Sequence, residues 1–153
     1  MTIFIGADHR GVGLKSRITV FLKSLGHSVE DVGAHDESPP CDYPPIAYDV
    51  ASRTAADPQS RGILICMSGI GLTIAANKVP GAYAALCYNM ESAKLSRQHN
   101  NANILVLGAK FVDPDQMNDL IKTWLEEPFE GGRHQRRLDK ICEIERKIQK
   151  SEQ

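Results

Sequence analysis

Cys66 is the side chain best placed to do chemistry. It closes an apolar run, Ile63-Leu64-Ile65, and is followed by Met67, Ser68, Gly69, Ile70 and Gly71 before an alanine-rich segment, Ala75-Ala76-Asn77-Lys78. A buried strand that stops at a glycine turn and restarts as a helix holds a thiol at the carboxyl edge of a sheet. It also points backbone N–H groups at whatever binds there. A helix N-terminus beside a thiol lowers its pKa and enlarges the thiolate fraction. The segment therefore offers a base or nucleophile next to an anion cradle. Its ordinary structural alternative is a buried cysteine ending a core strand.

Further polar clusters punctuate the chain. Gly6-Ala7-Asp8-His9-Arg10-Gly11 sets an acid beside an imidazole, a pair suited to hydroxyls or phosphate, although Asp8 would also serve as a helix cap. Residues 95–103 crowd His99, Asn100, Asn101 and Asn103 at a helix end, where Asn suits C-capping and His favours the negative end of the dipole. In residues 130–137, Arg133 and Arg137 are spaced i, i+4, forming either an anion clamp or a solvated basic face. Tyr43, in Asp42-Tyr43-Pro44, is a candidate to pack on a sheet or to touch a ligand.

These clusters need a scaffold. At 153 residues the chain has the length of one domain, and a net charge of −1 gives no bulk attraction to nucleic acid or anionic membranes. No apolar run reaches transmembrane length and no signal-peptide pattern opens the sequence, so a cytoplasmic location is expected. The four cysteines, Cys41, Cys66, Cys87 and Cys142, form neither a Cys-x-x-Cys pair nor a zinc spacing, and reduced thiols are expected. Strand-like runs at 2–6, 28–32, 62–66, 83–87 and 103–107 alternate with helical periodicity, as in the stripe Leu14, Ile18, Phe21, Leu22 and Leu25. A second helix is predicted over 43–56 behind Asp42, and shorter ones over 72–77 and 90–99. Asp113-Pro114-Asp115-Gln116 reads as a cap, an N1 proline and a capping-box glutamine before the stripe Met117, Leu120, Ile121, Trp124 and Leu125. A polar helix over about 133–150 follows a Gly-Gly hinge. This alternation predicts an α/β chain: a three-layer, Rossmann-like, five-stranded parallel sheet flanked by helices, with an extended C-terminal helix. Asp8-His9, Cys66-Met67-Ser68 and the segment after Leu107 would meet at its carboxyl edge.

Taken together and in order, Gly-x-Asp-His-x-Gly, Cys-x-Ser-Gly-Ile-Gly with Ala-Ala-Asn-Lys, Ser-Arg-x-His-Asn-x-Ala-Asn and Glu-Gly-Gly-Arg-His-x-x-Arg resemble the type B ribose-5-phosphate isomerases, in the family that includes allose-6-phosphate and galactose-6-phosphate isomerases. The resemblance spans about residues 2–148. It implies an aldose–ketose isomerase acting through a cis-enediolate, with Cys66 as the base, backbone N–H groups of Met67, Ser68, Gly69, Ile70 and Gly71 facing the oxyanion, and Ser68 passing a proton between O1 and O2. His99 would open the sugar ring with Asp8 assisting, Asn100 would hold a substrate oxygen, and Tyr43 would flank the sugar. His9, Arg133 and Arg137 fall at phosphate-binding positions, with Lys110 where arginine is usual. The resemblance also implies a homodimer or tetramer whose active sites are shared between subunits, with the C-terminal helix at the dimer interface and no metal or organic cofactor.

This chain departs from the pattern at Ser68 (usually Thr), Met67 (usually Gly) and Lys110. Met67 and Lys110 leave a six-carbon sugar phosphate of the allose 6-phosphate type as the alternative substrate. Readings of another class are a non-catalytic sugar-phosphate-binding protein, or a redox protein built on Cys66, for which the sequence shows no neighbouring resolving cysteine.

Overall fold

The structure is a computed structural model that describes residues 1–151. Its strands are β1 (Thr2–Ala7), β2 (Ser28–Asp31), β3 (Arg61–Cys66), β4 (Ala84–Leu86) and β5 (Ile104–Gly108). All pair in parallel in the order β2-β1-β3-β5-β4. Between them run α1 (Val12–Ser24), α2 (Tyr43–Ala56), α3 (Ile70–Ala76) and α4 (Met90–Asn100), followed by α5 (Met117–Glu126) and α6 (Arg133–Ser151).

Alternation along each strand decides the layers. Ile3, Ile5, Ile63, Ile65, Leu105 and Leu107 point to one face, where α1 and α5 cover them with Ile18, Leu22 and the fully buried Trp124. Phe4, Leu64, Cys66, Ile104 and Val106 point to the other, beneath α2 and α3. Inner strands apolar on both faces are what a parallel sheet covered on both sides requires. The three-layer architecture predicted from the alternation is the one observed. No helix among the described residues is long and apolar enough to cross a membrane.

Chain direction creates the site. The connection from β1 leads to β2 on one side, while β3 lies on the other, so the crossovers diverge between β1 and β3 and leave a crevice at their carboxyl ends. The loop from β2 to α2 folds toward that crevice. It is tied down by the buried Lys15, whose Nζ donates to Asp31 Oδ1 at 2.7 Å and to the carbonyls of Gly33 and Ala34.

One predicted helix start is corrected. Asp113 does not cap α5: its Oδ1 accepts from the Asp115 N–H at 2.9 Å, closing a local turn, and the helix begins at Met117 after Gln116. An Asp two residues before an N–H satisfies it as readily in a turn as in a cap. The end of α4 follows the sequence closely, with Asn101 in the left-handed conformation at φ 47° as C-cap and His99 and Asn100 in the last turn.

Candidate active site

The residues leaving β1 and β3 face each other across the crevice. Asp8, His9 and Arg10 form one wall, Cys66, Met67 and Ser68 the other, and Cys41, Asp42, Tyr43 and Gly71 complete a cleft of about 270 Å³. The Asp8 N–H continues the β1–β3 pairing by donating to the Ile65 carbonyl at 3.3 Å. Its carboxylate, nearly buried, accepts from the Arg10 N–H at 3.0 Å. His9 accepts the Cys41 N–H on Nδ1 at 3.2 Å, so the neutral ring carries its proton on Nε2.

Cys66 is 7% exposed at the cleft floor. Its Sγ accepts the Gly69 N–H at 3.0 Å, and the Ile70 N–H is directed to Ser68 Oγ at 3.3 Å. Those N–H groups therefore already have partners at the thiol and the hydroxyl. Burial pushes the thiol pKa up, the N–H groups of Gly69, Ser68 and Leu72 pull against it, and Asp8 adds to the rise. The net shift is upward, which corrects the expectation that the helix end lowers it: removing a thiolate from water costs more than these dipoles return. The turn depends on glycine at two places. Gly69 sits at φ +81° as N-cap of α3. Gly108 at the end of β5 lies so close that a Cβ there would stand 2.7 Å from the Ser68 carbonyl carbon. Met67 adopts no positive φ, so its replacement of the usual glycine strains nothing.

Of the residues predicted for the site, Asp8, His9, Tyr43, Cys66, Met67, Ser68 and Gly71 line this cleft. Gly69, Ile70, His99, Asn100, Lys110, Arg133 and Arg137 do not. Lys110 is exposed, and its backbone N–H donates to the Met67 carbonyl at 3.1 Å. Asn100 borders a second hollow with Tyr83, Leu138 and Ile141. His99 stacks on His134 with ring centroids 4.2 Å apart and planes 12° from parallel. His134 is buried, and its Nε2 lies 3.3 Å from Glu130 Oε2. Burial first, then the nearby His99 and Arg133, hold the His134 pKa below its ordinary value. Ligand atoms of His99, Glu130 and His134 lie within 4.8 Å of one another. Arg133 and Arg137 project from the exposed side of α6. Arg10, Cys41 and Asp42 are cleft residues that the sequence reading missed. Arg10 was legible as the next residue on the β1 edge, whereas Cys41 and Asp42 arrive only through the path of the loop after β2. Cys41 also places a second thiol in the cleft of Cys66, a proximity invisible in the sequence.

A doubly wound parallel sheet with a thiol, a hydroxyl and oriented N–H groups at its switch point defines an α/β protein equipped for proton transfer on a small ligand. The chain belongs to the ribose/galactose isomerase family, whose sequence profile matches residues 3–141. It is 42% identical over 147 residues to ribose-5-phosphate isomerase B of Mycobacterium tuberculosis, covering 95% of this chain and 91% of that one. Among solved structures, ribose-5-phosphate isomerase B of Clostridium thermocellum is 47% identical with a TM-score of 0.91, covering 97% of this chain and 99% of that one. The Mycoplasma genitalium enzyme, solved with bound ribulose-5-phosphate, is 42% identical with a TM-score of 0.91, covering 95% and 96%.

Proposed function

We propose that this protein interconverts ribose 5-phosphate and ribulose 5-phosphate. The observation that carries the proposal is the buried Cys66 thiol, opposite Asp8 and His9 and next to the Ser68 hydroxyl, in a cleft sized for a small ligand. In the open-chain aldose the Cys66 thiolate takes the proton from C2, giving a cis-enediolate, and returns it to C1. Ser68 passes the proton that leaves O2 to O1, so the ketose forms with no net gain or loss. Backbone N–H groups of residues 67–71 stabilise the oxyanion, and those now engaged at Sγ and Oγ shift to it as substrate charge develops. His9 holds the phosphate from this subunit, and Tyr43 flanks the sugar.

Ring opening requires His99, which in this chain lies with His134 outside the Cys66 cleft. The proposed active unit is therefore a homodimer or larger assembly in which His99 and Asn100, with the phosphate ligands Arg133 and Arg137, serve a site shared between subunits. The exposed α6 residues Ile141, Ile144 and Ile148 form an apolar stripe suited to that interface.

The test is proton NMR of ribose 5-phosphate in deuterated water with metal-stripped protein. Ribulose 5-phosphate should appear with deuterium at C1 to the extent that the thiol exchanges with solvent. No turnover and no exchange from folded protein would refute the proposal. The relatives named for ribose 5-phosphate favour the five-carbon substrate over allose 6-phosphate. At least about tenfold higher kcat/KM on ribose 5-phosphate is expected, the range one pocket contact supplies.

A further inference from the structure

Arg10 lines the cleft without a part in the proton transfers. Its backbone is fixed at the turn leaving β1, where its N–H donates to Asp8 Oδ1 at 3.0 Å. Its guanidinium reaches across the crevice to the loop after β3, with Nη1 3.9 Å from Met67 Sδ. A thioether is a weak acceptor, so this contact positions the group while leaving its donors available. Asp8 and Asp42 share the cleft, yet no carboxylate among the described residues lies within 4.0 Å of the Arg10 guanidinium. By contrast, Arg53 and Lys15 are both engaged with acids. An unpaired planar fork beside His9, over a small cleft, is the arrangement that binds a phosphate through paired N–H donors.

We propose that Arg10 is a phosphate-binding residue of this site, held over the cleft by the Met67 thioether. The proposal rests on the isomerase reading for the identity of its ligand, a phosphorylated sugar. The two residues are far apart in sequence and meet only because β1 and β3 are neighbours. Lys110 leaves that role open, since its side chain is not part of the lining. The phosphate is remote from C1 and C2, so its contacts are equally strong before and during proton transfer. Their loss acts on KM rather than kcat.

The experiment compares Arg10→Ala and Arg10→Gln with the unaltered protein in steady-state kinetics and in calorimetric titration with inorganic phosphate. Circular dichroism verifies that both variants fold, and the Gln variant preserves side-chain length if Ala disturbs the loop. Expected is a rise of about 10- to 100-fold in KM and in the phosphate dissociation constant, the range for a charge-assisted contact, with kcat within about threefold. Arg10→Lys should recover part of the affinity, as a point charge without the fork. Phosphate affinity and KM within about twofold of the original in both variants would overturn the proposal, and so would a loss of kcat at unchanged phosphate affinity. If the unaltered protein fails to turn over ribose 5-phosphate, the isomerase reading fails, while the phosphate titration still decides the role of Arg10.

Discussion

At Cys66 two influences oppose each other. The thiol must ionise to act as a base, yet it is buried, and burial outweighs the N–H groups of Gly69, Ser68 and Leu72. Its pKa therefore lies above the ordinary thiol value, and kcat/KM should still be climbing with pH where an unperturbed cysteine is already ionised. A pH–rate profile that levels off below the usual thiol range would sink this assignment. The same shift has a stability consequence. A raised folded-state pKa means the protonated thiol contributes stability below the ordinary value, and that contribution is lost as pH rises toward the folded value. Cys66→Ala should lower turnover by about 10²- to 10⁴-fold, the usual worth of a positioned base, while calorimetry still registers sugar-phosphate binding. It should also flatten the alkaline limb of the profile. A fully active Cys66→Ala variant would transfer the base to another group.

Between β3 and α3 the chain must turn within a few residues while pressed against the end of β5. Gly108 permits that contact, because any Cβ there would enter the Ser68 backbone rather than a side chain that could rotate away. Gly108→Ala should therefore displace the loop carrying Cys66 and Ser68. The expected cost is about 1–3 kcal/mol in denaturant unfolding, as for overpacking elsewhere. Turnover should fall roughly 100-fold, because a shift of about 1 Å in a reacting group has that effect. Wild-type kcat in this variant would show that the loop tolerates the displacement. This element also marks where sequence was informative. The apolar run, the cysteine and the glycines at 69 and 71 encode their own strand, turn and helix, so their geometry was legible locally. At Asp113 the sequence is ambiguous, because its oxygen serves a turn or a cap equally well, and in the structure it closes a turn with the Asp115 N–H. Arg10 and Met67, or Cys41 and Cys66, are brought together by strand order and by a loop pinned through Lys15, information that no local pattern carries. The direction of the Cys66 pKa shift is hidden for a related reason: helix proximity can be read from sequence, but the depth of burial cannot.

Over the whole molecule, the proposed catalytic set is divided. Cys66, Ser68 and Asp8 occupy the crevice between β1 and β3, whereas His99 is stacked on His134 beyond it, beside the N-terminal end of α6. Only His134 and Leu138 of α6 are buried, while Ile144 and Ile148 remain 56% and 55% exposed on one side of a long helix. A helix with so much uncovered apolar surface calls for a partner, and a second copy of the chain would bring its own His99 with it. That arrangement makes a prediction that a self-contained monomer cannot satisfy. Cys66→Ala and His99→Ala chains should each be strongly impaired on the cyclic sugar, but mixing them by co-expression should restore activity. In a random mixture of twofold-symmetric dimers, half combine one chain of each kind, and one of the two sites in such a dimer keeps both an intact Cys66 and an intact His99. Recovery should therefore approach about a quarter of the unaltered protein's activity per chain. Charged replacements at the α6 stripe, Ile144→Asp with Ile148→Asp, should shift sedimentation toward the monomer and abolish the recovery, leaving the fold of each chain intact by circular dichroism. Failure of the mixed dimers to regain activity, with their assembly verified by differential tagging, would place both groups in one subunit and require His99 to leave His134 and reach the cleft within its own chain.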